Sequence, residues 1–112
     1  MLPSKHRLKK ENDFAFVLKR GRRTQGEGLY AKIRANGIPE TRFGIIISKK
    51  VDKKAVERNR IHRVIAQAIR DHLSGISAGL DVVFVVGSEL KGVDSSGIKQ
   101  ATEDLLKRAE LM

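Results

Sequence analysis

The spacing of apolar residues changes period several times along the chain, and each change marks an element. Phe14, Val17 and Leu18 recur at helical steps behind Asn12 and Asp13. Lys19 and Arg20 close the turn and Gly21 stops it, which predicts a short helix from Asn12 or Asp13 to Arg20. Residues 22–28 read as loop or irregular edge strand. From Leu29 to Arg34 the period drops to two: Leu29, Ala31 and Ile33 lie on one side, Tyr30, Lys32 and Arg34 on the other, as in a half-buried strand. Asn36, Gly37 and Pro39 mark a turn, and the β-branched run Arg42 to Ser48 predicts a second strand, paired with the first as an antiparallel hairpin. The three isoleucines of that run suggest burial on both faces.

A longer helical stripe follows. Ile61, Val64, Ile65, Ala68 and Ile69 recur at three- and four-residue steps and predict a helix from about Lys53 to His72. At 100° per residue Asn59, Arg63 and Arg70 fall opposite the stripe and Arg60 lies on its flank. Ser74 to Gly79 reads as loop, Asp81 to Val86 as a buried strand, and Asp94 to about Glu110 as a final helix with Ile98, Ala101, Leu105 and Ala109 inward. Asp94, with Ser95 and Ser96, has the chemistry of a helix cap. The expected fold is α+β, a small mixed sheet packed with helices in the order α-β-β-α-β-α, within one domain over residues 1–112.

Charge separates the two parts of this pattern. The formal net charge is +10, and residues 1–70 hold 19 Lys or Arg against 6 Asp or Glu, whereas residues 71–112 hold 4 against 7. The first two thirds are therefore expected to meet the partner. A polyanion is the natural one, because cations that neutralise phosphates gain affinity through counterion release. An anionic membrane fits less well, since the basic helix needs its aliphatic face for the core. No stretch is apolar enough to span a bilayer, the amino terminus leads into charge rather than an apolar signal, and there is no cysteine. A cytoplasmic setting is expected.

The densest chemistry lies from Ser48 to Arg63, where Lys49, Lys50, Lys53, Lys54, Arg58, Asn59, Arg60, His62 and Arg63 gather at the entry to the long helix. Helix N-termini favour anions, and arginine forks grip phosphate oxygens in two places. Arg58, Asn59 and Arg60 splay around more than half of the helix, so a folded RNA suits them better than a flat partner. The plainer reading is a solvated basic face with internal ion pairs from Asp52 or Glu57. Elsewhere the chemistry is thin. His6, His62 and His72 lack the spacing of a metal site, the carboxylates form no acid–base pair, and Ser48 has no base beside it. Phe14 and Phe16 lie about 200° apart, so at least one of them is expected in the core.

These residues carry a resemblance to the protein subunit of bacterial ribonuclease P, running from about Pro3 to Glu110. Its most specific part is the run of Ser48-Lys49-Lys50-Val51, Lys54-Ala55-Val56, Arg58-Asn59-Arg60 and Arg63. Arg7-Leu8-Lys9-Lys10 ahead of Asp13-Phe14, Arg42-Phe43-Gly44, and Gly79-Leu80-Asp81-Val82-Val83 follow the family in the same order. The resemblance implies a ribonucleoprotein that removes the 5′ leader of precursor transfer RNA. An RNA subunit would be catalytic, with Mg2+ bound mainly by that RNA; the sequence identifies no catalytic residue and no metal ligand on the protein. It also implies a left-handed β-α-β crossover, against the general right-handed rule.

Carried over residue by residue, the basic run from Lys49 to Arg63 matches the family's RNA-facing motif, and Phe14 matches its aromatic beside a cleft for the single-stranded leader. Leu18 stands where a second aromatic is frequent, and Lys32 where a strand tyrosine is common. Tyr30 lies two residues earlier on the same strand face and is placed to share that work. Leader binding through Phe14, Leu18, Tyr30 and Lys32 is thus expected to lean on charge more than on stacking. His62 replaces a lysine, which makes local charge responsive to pH. Two readings outside this family stay open: a ribosomal or general structured-RNA-binding protein with no catalytic partner, and a nuclease in its own right.

Overall fold

The computed structural model describes residues 2–112. Its elements run α1 (Glu11–Arg20), β1 (Arg22–Gln25), β2 (Leu29–Ala35), β3 (Arg42–Ile46), α2 (Ala55–Asp71), β4 (Leu80–Val86) and α3 (Ser95–Arg108). The four strands form one mixed sheet in the order β1-β2-β4-β3, so the α+β class holds. The segment after Gly21 is a true edge strand, antiparallel to β2, and adds one strand to the expected order.

The expected hairpin between β2 and β3 does not form. β4 lies between them, antiparallel to β2 and parallel to β3. Its sequence explains the insertion: Leu80–Val86 is nearly all apolar and suits the place with both faces covered. Val82, Phe84 and Val86 face α2 and α3, while Val83 faces α1. The 36–41 loop is drawn across the start of β4, where the Asn36 N–H donates to the Gly79 carbonyl at 2.9 Å and its side-chain amide to Asp81 at 2.9 Å. β3 is left at the edge, so Ile45, Ile46 and Ile47 are each only partly buried, although they do serve both faces.

Helix boundaries shift for local reasons. α1 begins at Glu11 without a side-chain cap, because the N-cap residue is Lys10, which has no acceptor to offer; Asp13 lies within the first turn and faces Arg42 at 3.7 Å. α2 begins at Ala55, since the Asp52 carboxylate takes the Lys54 N–H at 3.0 Å in a turn ahead of it. Asp94 caps α3 as expected, accepting from the Gly97 N–H at 2.8 Å. Ile61, Ile65, Ala68 and Ile69 of α2 are buried and Val64 packs partly. In α3 the buried set is Ile98, Thr102, Leu105 and Leu106, with Ala101 only partly covered. Thr102 tolerates burial because its hydroxyl donates to the Ile98 carbonyl at 2.9 Å.

The sheet thus divides the molecule. α2 and α3 cover one face around Phe84, whose ring stacks with Phe43 at 6.2 Å. α1 crosses the other face with Val17 and Leu18 over Val83, and the rest of that face is left more open.

Candidate nucleic-acid interface

The basic run is displayed by a loop that a single apolar residue anchors. Val51 is buried, and around it the chain turns tightly, its N–H bonded to the Ser48 carbonyl at 3.0 Å. Ser48 is structural, its hydroxyl accepting from the Lys50 N–H at 3.3 Å. Lys49, Lys50, Lys53 and Lys54 are left exposed around the turns. Arg58 reaches back from α2 and donates to the Asp52 and Lys53 carbonyls at 2.9 and 3.0 Å, holding the loop against the helix start.

Arg60 points the other way. Its Nε pairs with Glu57 at 3.1 Å, the ion pair expected from that carboxylate, and its Nη2 donates to the Val93 carbonyl at 2.8 Å beside the start of α3. The two arginines therefore diverge, and each uses part of its fork on the protein's own backbone. Asn59, His62 and Arg63 are exposed, with Asn59 and Arg63 on the side away from the buried stripe. They are the more open members of the helix surface.

On the opposite face the ring of Phe14 lies directly on β3. A Cβ at Gly44 would stand 2.2 Å from the Phe14 ring, so only glycine lets the ring settle there. Phe14 and Leu18 pack with Ile46, Val83 and Val85 in one cluster. Tyr30 and Lys32 share this sheet face, opposite Val85 and Val83 in register. The Arg23 guanidinium covers the Tyr30 ring at 3.9 Å, and the Lys32 ammonium leans to the Gly21 carbonyl at 3.5 Å. Phe16 is half exposed, with the Arg34 guanidinium 4.3 Å over its ring. Of the two phenylalanines, Phe14 is therefore the partly buried one and neither belongs to the main core.

The two surfaces are separated by the sheet but meet at the β3 edge. A pocket of about 150 Å³ is lined by Phe14 and Gly44 from one side, His62 from the other, and Arg7 beside them. Loss of water on the pocket side pushes the His62 pKa below the ordinary histidine value. Arg7, Arg23 and Arg34 were not among the expected site residues. Arg23 had a signal in the pair Arg22-Arg23, but its position over Tyr30 depends on a strand register that no local pattern shows. Among the described residues no group of three or more His, Asp or Glu is gathered to hold a metal ion.

Fold and charge together define a small basic α+β protein with a mixed sheet and a cation-bearing helix. Residues 2–110 match the family model for Ribonuclease P. The chain is 36% identical over 110 residues to the ribonuclease P protein component of a Picosynechococcus species, covering 98% of this chain and 95% of the relative. It is 43% identical over 89 residues to that of Microcystis aeruginosa, covering 76% and 74%. The Staphylococcus aureus RNase P protein superposes with a TM-score of 0.89 at 30% identity, covering 95% of this chain and 96% of that one. The chain belongs to the ribonuclease P protein family, the protein subunits of a transfer-RNA-processing ribonucleoprotein.

Proposed function

We propose that this chain assembles with a catalytic RNA through α2 and its entry loop, and holds the 5′ leader of precursor transfer RNA on the α1 side of the sheet. The observation that carries the reading is the two-sided layout: exposed cations of α2 and its entry loop on one side, the partly buried Phe14 against β3 on the other, and between them a pocket that Phe14 shares with His62 of α2. Lys49, Lys50, Lys53 and Lys54, with Asn59 and Arg63, meet phosphates of the RNA subunit. Arg58 and Arg60 set the loop and the helix flank in place and offer their remaining N–H groups. His62 stands where the two RNAs come together.

Phe14, Leu18, Tyr30 and Lys32 receive the leader, with Phe14 as the apolar and stacking surface and Lys32 as a charge. Arg23 already covers one face of Tyr30, which limits stacking there, and leader binding leans on charge. The chain's own part is to bind and orient: it fixes the leader relative to the RNA subunit and so turns part of substrate encounter into an intramolecular step. Bond cleavage belongs to the RNA, and Mg2+, bound mainly by RNA phosphates, supplies the activated water when present. No step is assigned to a protein carboxylate or histidine. The setting is the cytoplasm, and among the described residues no helix is long and apolar enough to cross a membrane.

Reconstitution tests the proposal. Added to ribonuclease P RNA at low Mg2+, the protein should raise cleavage of leader-bearing precursor over that by the RNA alone. A rate no higher than that of the RNA alone defeats the reading.

A further inference from the structure

We infer that the cationic groove at the start of α1 is a phosphate track for leader nucleotides lying beyond those at Phe14, an inference that rests on the leader reading above. The groove encloses about 440 Å³ and is walled by Lys5, Arg7, Lys9, Lys10 and Arg42. Its one carboxylate, Asp13, faces Arg42 at 3.7 Å, so no acid in the lining is paired with the ammonium groups of Lys5, Lys9 and Lys10. A wall so rich in ammonium and guanidinium groups, with no aromatic in it, suits the backbone of a nucleic acid rather than its bases.

The backbone that bears these cations is tied to the fold rather than carried as a loose arm. His6 Nδ1 donates to the Thr41 carbonyl at 2.7 Å, the Leu8 N–H donates to the Phe43 carbonyl at 2.9 Å, and Arg7 pairs in parallel with Phe43 at the edge of β3. Leu8 is buried with Val17 and Val83 under α1. Arg42 is fixed by a two-point contact with Asp81, at 2.9 and 2.7 Å. Charges fixed before binding lose less freedom when a strand arrives.

Continuity selects the leader as the occupant. Arg7 lines both this groove and the pocket shared by Phe14 and His62, so a single strand passing Phe14 runs directly into the groove. The contacts available there are with phosphates, so this part of the leader would be held by length and charge and with little regard to sequence.

The test uses the reconstituted holoenzyme and two precursor substrates, one with a leader just long enough to reach Phe14 and one whose leader extends well past it. Lys5 and Lys10 are exposed. The double variant Lys5→Ala, Lys10→Ala is expected to weaken binding of the long-leader substrate roughly tenfold at low salt and to make its salt dependence shallower by about 0.7 per lost single-strand contact. Binding of the short-leader substrate, affinity for the RNA subunit and melting temperature should be unchanged. Unaltered long-leader binding overturns the inference, as does an equal loss for both substrates or a loss of RNA-subunit affinity. If the unmodified holoenzyme fails to distinguish leader-bearing from leaderless substrate, the leader reading itself falls and the groove with it. Discrimination that survives intact in the double variant removes only the groove.

Discussion

Gly44 and His62 show how single residues shape the two sides of the pocket at β3. Gly44 matters for what it lacks: a methyl group there would drive into the Phe14 ring. Gly44→Ala is expected to destabilise the fold by about 1–3 kcal/mol and to reduce discrimination between substrates with and without a leader. Urea melts with parallel binding of the two substrates check this, and full discrimination in a destabilised variant would separate the ring from leader binding. His62 carries the pH response. Its folded pKa lies below the ordinary 6.5, so the unfolded chain takes up the proton first as pH falls. The stability tied to His62 is present above that value and is lost as pH drops through the folded pKa. RNA phosphates favour the protonated ring, so affinity for the RNA subunit should rise over the same descent. In His62→Lys the pH dependence of affinity should flatten; a profile identical to that of the unmodified protein would remove His62 from the interface.

At the scale of the element, α2 combines three tasks that its sequence superimposes on one helix. The stripe from Ile61 to Ile69 packs, Arg58 and Arg60 fasten the flanking loops, and Asn59 and Arg63 face outward. The arginines should therefore separate by experiment. Arg63→Ala is expected to leave stability within about 0.5 kcal/mol and to lower the slope of RNA affinity against salt by about 0.7 to 0.9. Arg60→Ala removes bonds to Glu57 and to the Val93 carbonyl and is expected to cost about 1 kcal/mol of stability as well. Denaturant melts and salt titrations of the two variants make the comparison, and identical behaviour would show that Arg60 does no fastening. The stripe, the cap at Asp94 and the outward cations were legible locally because they follow from a period of 3.6 residues and from one side chain's reach. The anchoring of Arg58 and Arg60 was not, since their partners are backbone carbonyls whose direction depends on how the loops fold.

For the whole molecule the decisive element is β4, which joins the faces and places β3 at the edge. Asp81 at its buried end accepts from Arg42 of β3 and from Asn36 of the preceding loop, so one carboxylate ties three segments. The hydrogen bonds that Arg42 donates to the Asp81 carboxylate raise the Arg42 pKa and outweigh the opposing effect of burial. Asp81→Ala should cost about 2–3 kcal/mol, less than for a fully enclosed pair because the Arg42 side chain is 27% exposed. Hydrogen exchange should then quicken along β3 more than along β2; uniform exchange across the sheet would show that the tie is not local to this edge. The same edge carries Arg7, Phe14 and Gly44, so its loosening reaches both the pocket and the groove.

By itself the sequence determined the α+β class, the helices and three of the four strands to within a few residues, and the concentration of positive charge ahead of residue 71. These are properties of short range: side-chain period, turn chemistry and composition act over a few residues and need no distant partner. The motifs from Arg7 to Val83 carried the family resemblance because they keep both identity and order. Only the tertiary structure decided that β4 separates β2 from β3, that Arg23 caps Tyr30, and that Phe14 and His62 line one pocket from opposite sides of a sheet. Strand order reflects a competition among all the strands for the doubly covered central place, and β4 wins it with the longest apolar run. A hairpin rule that weighs only neighbours in sequence does not see that competition.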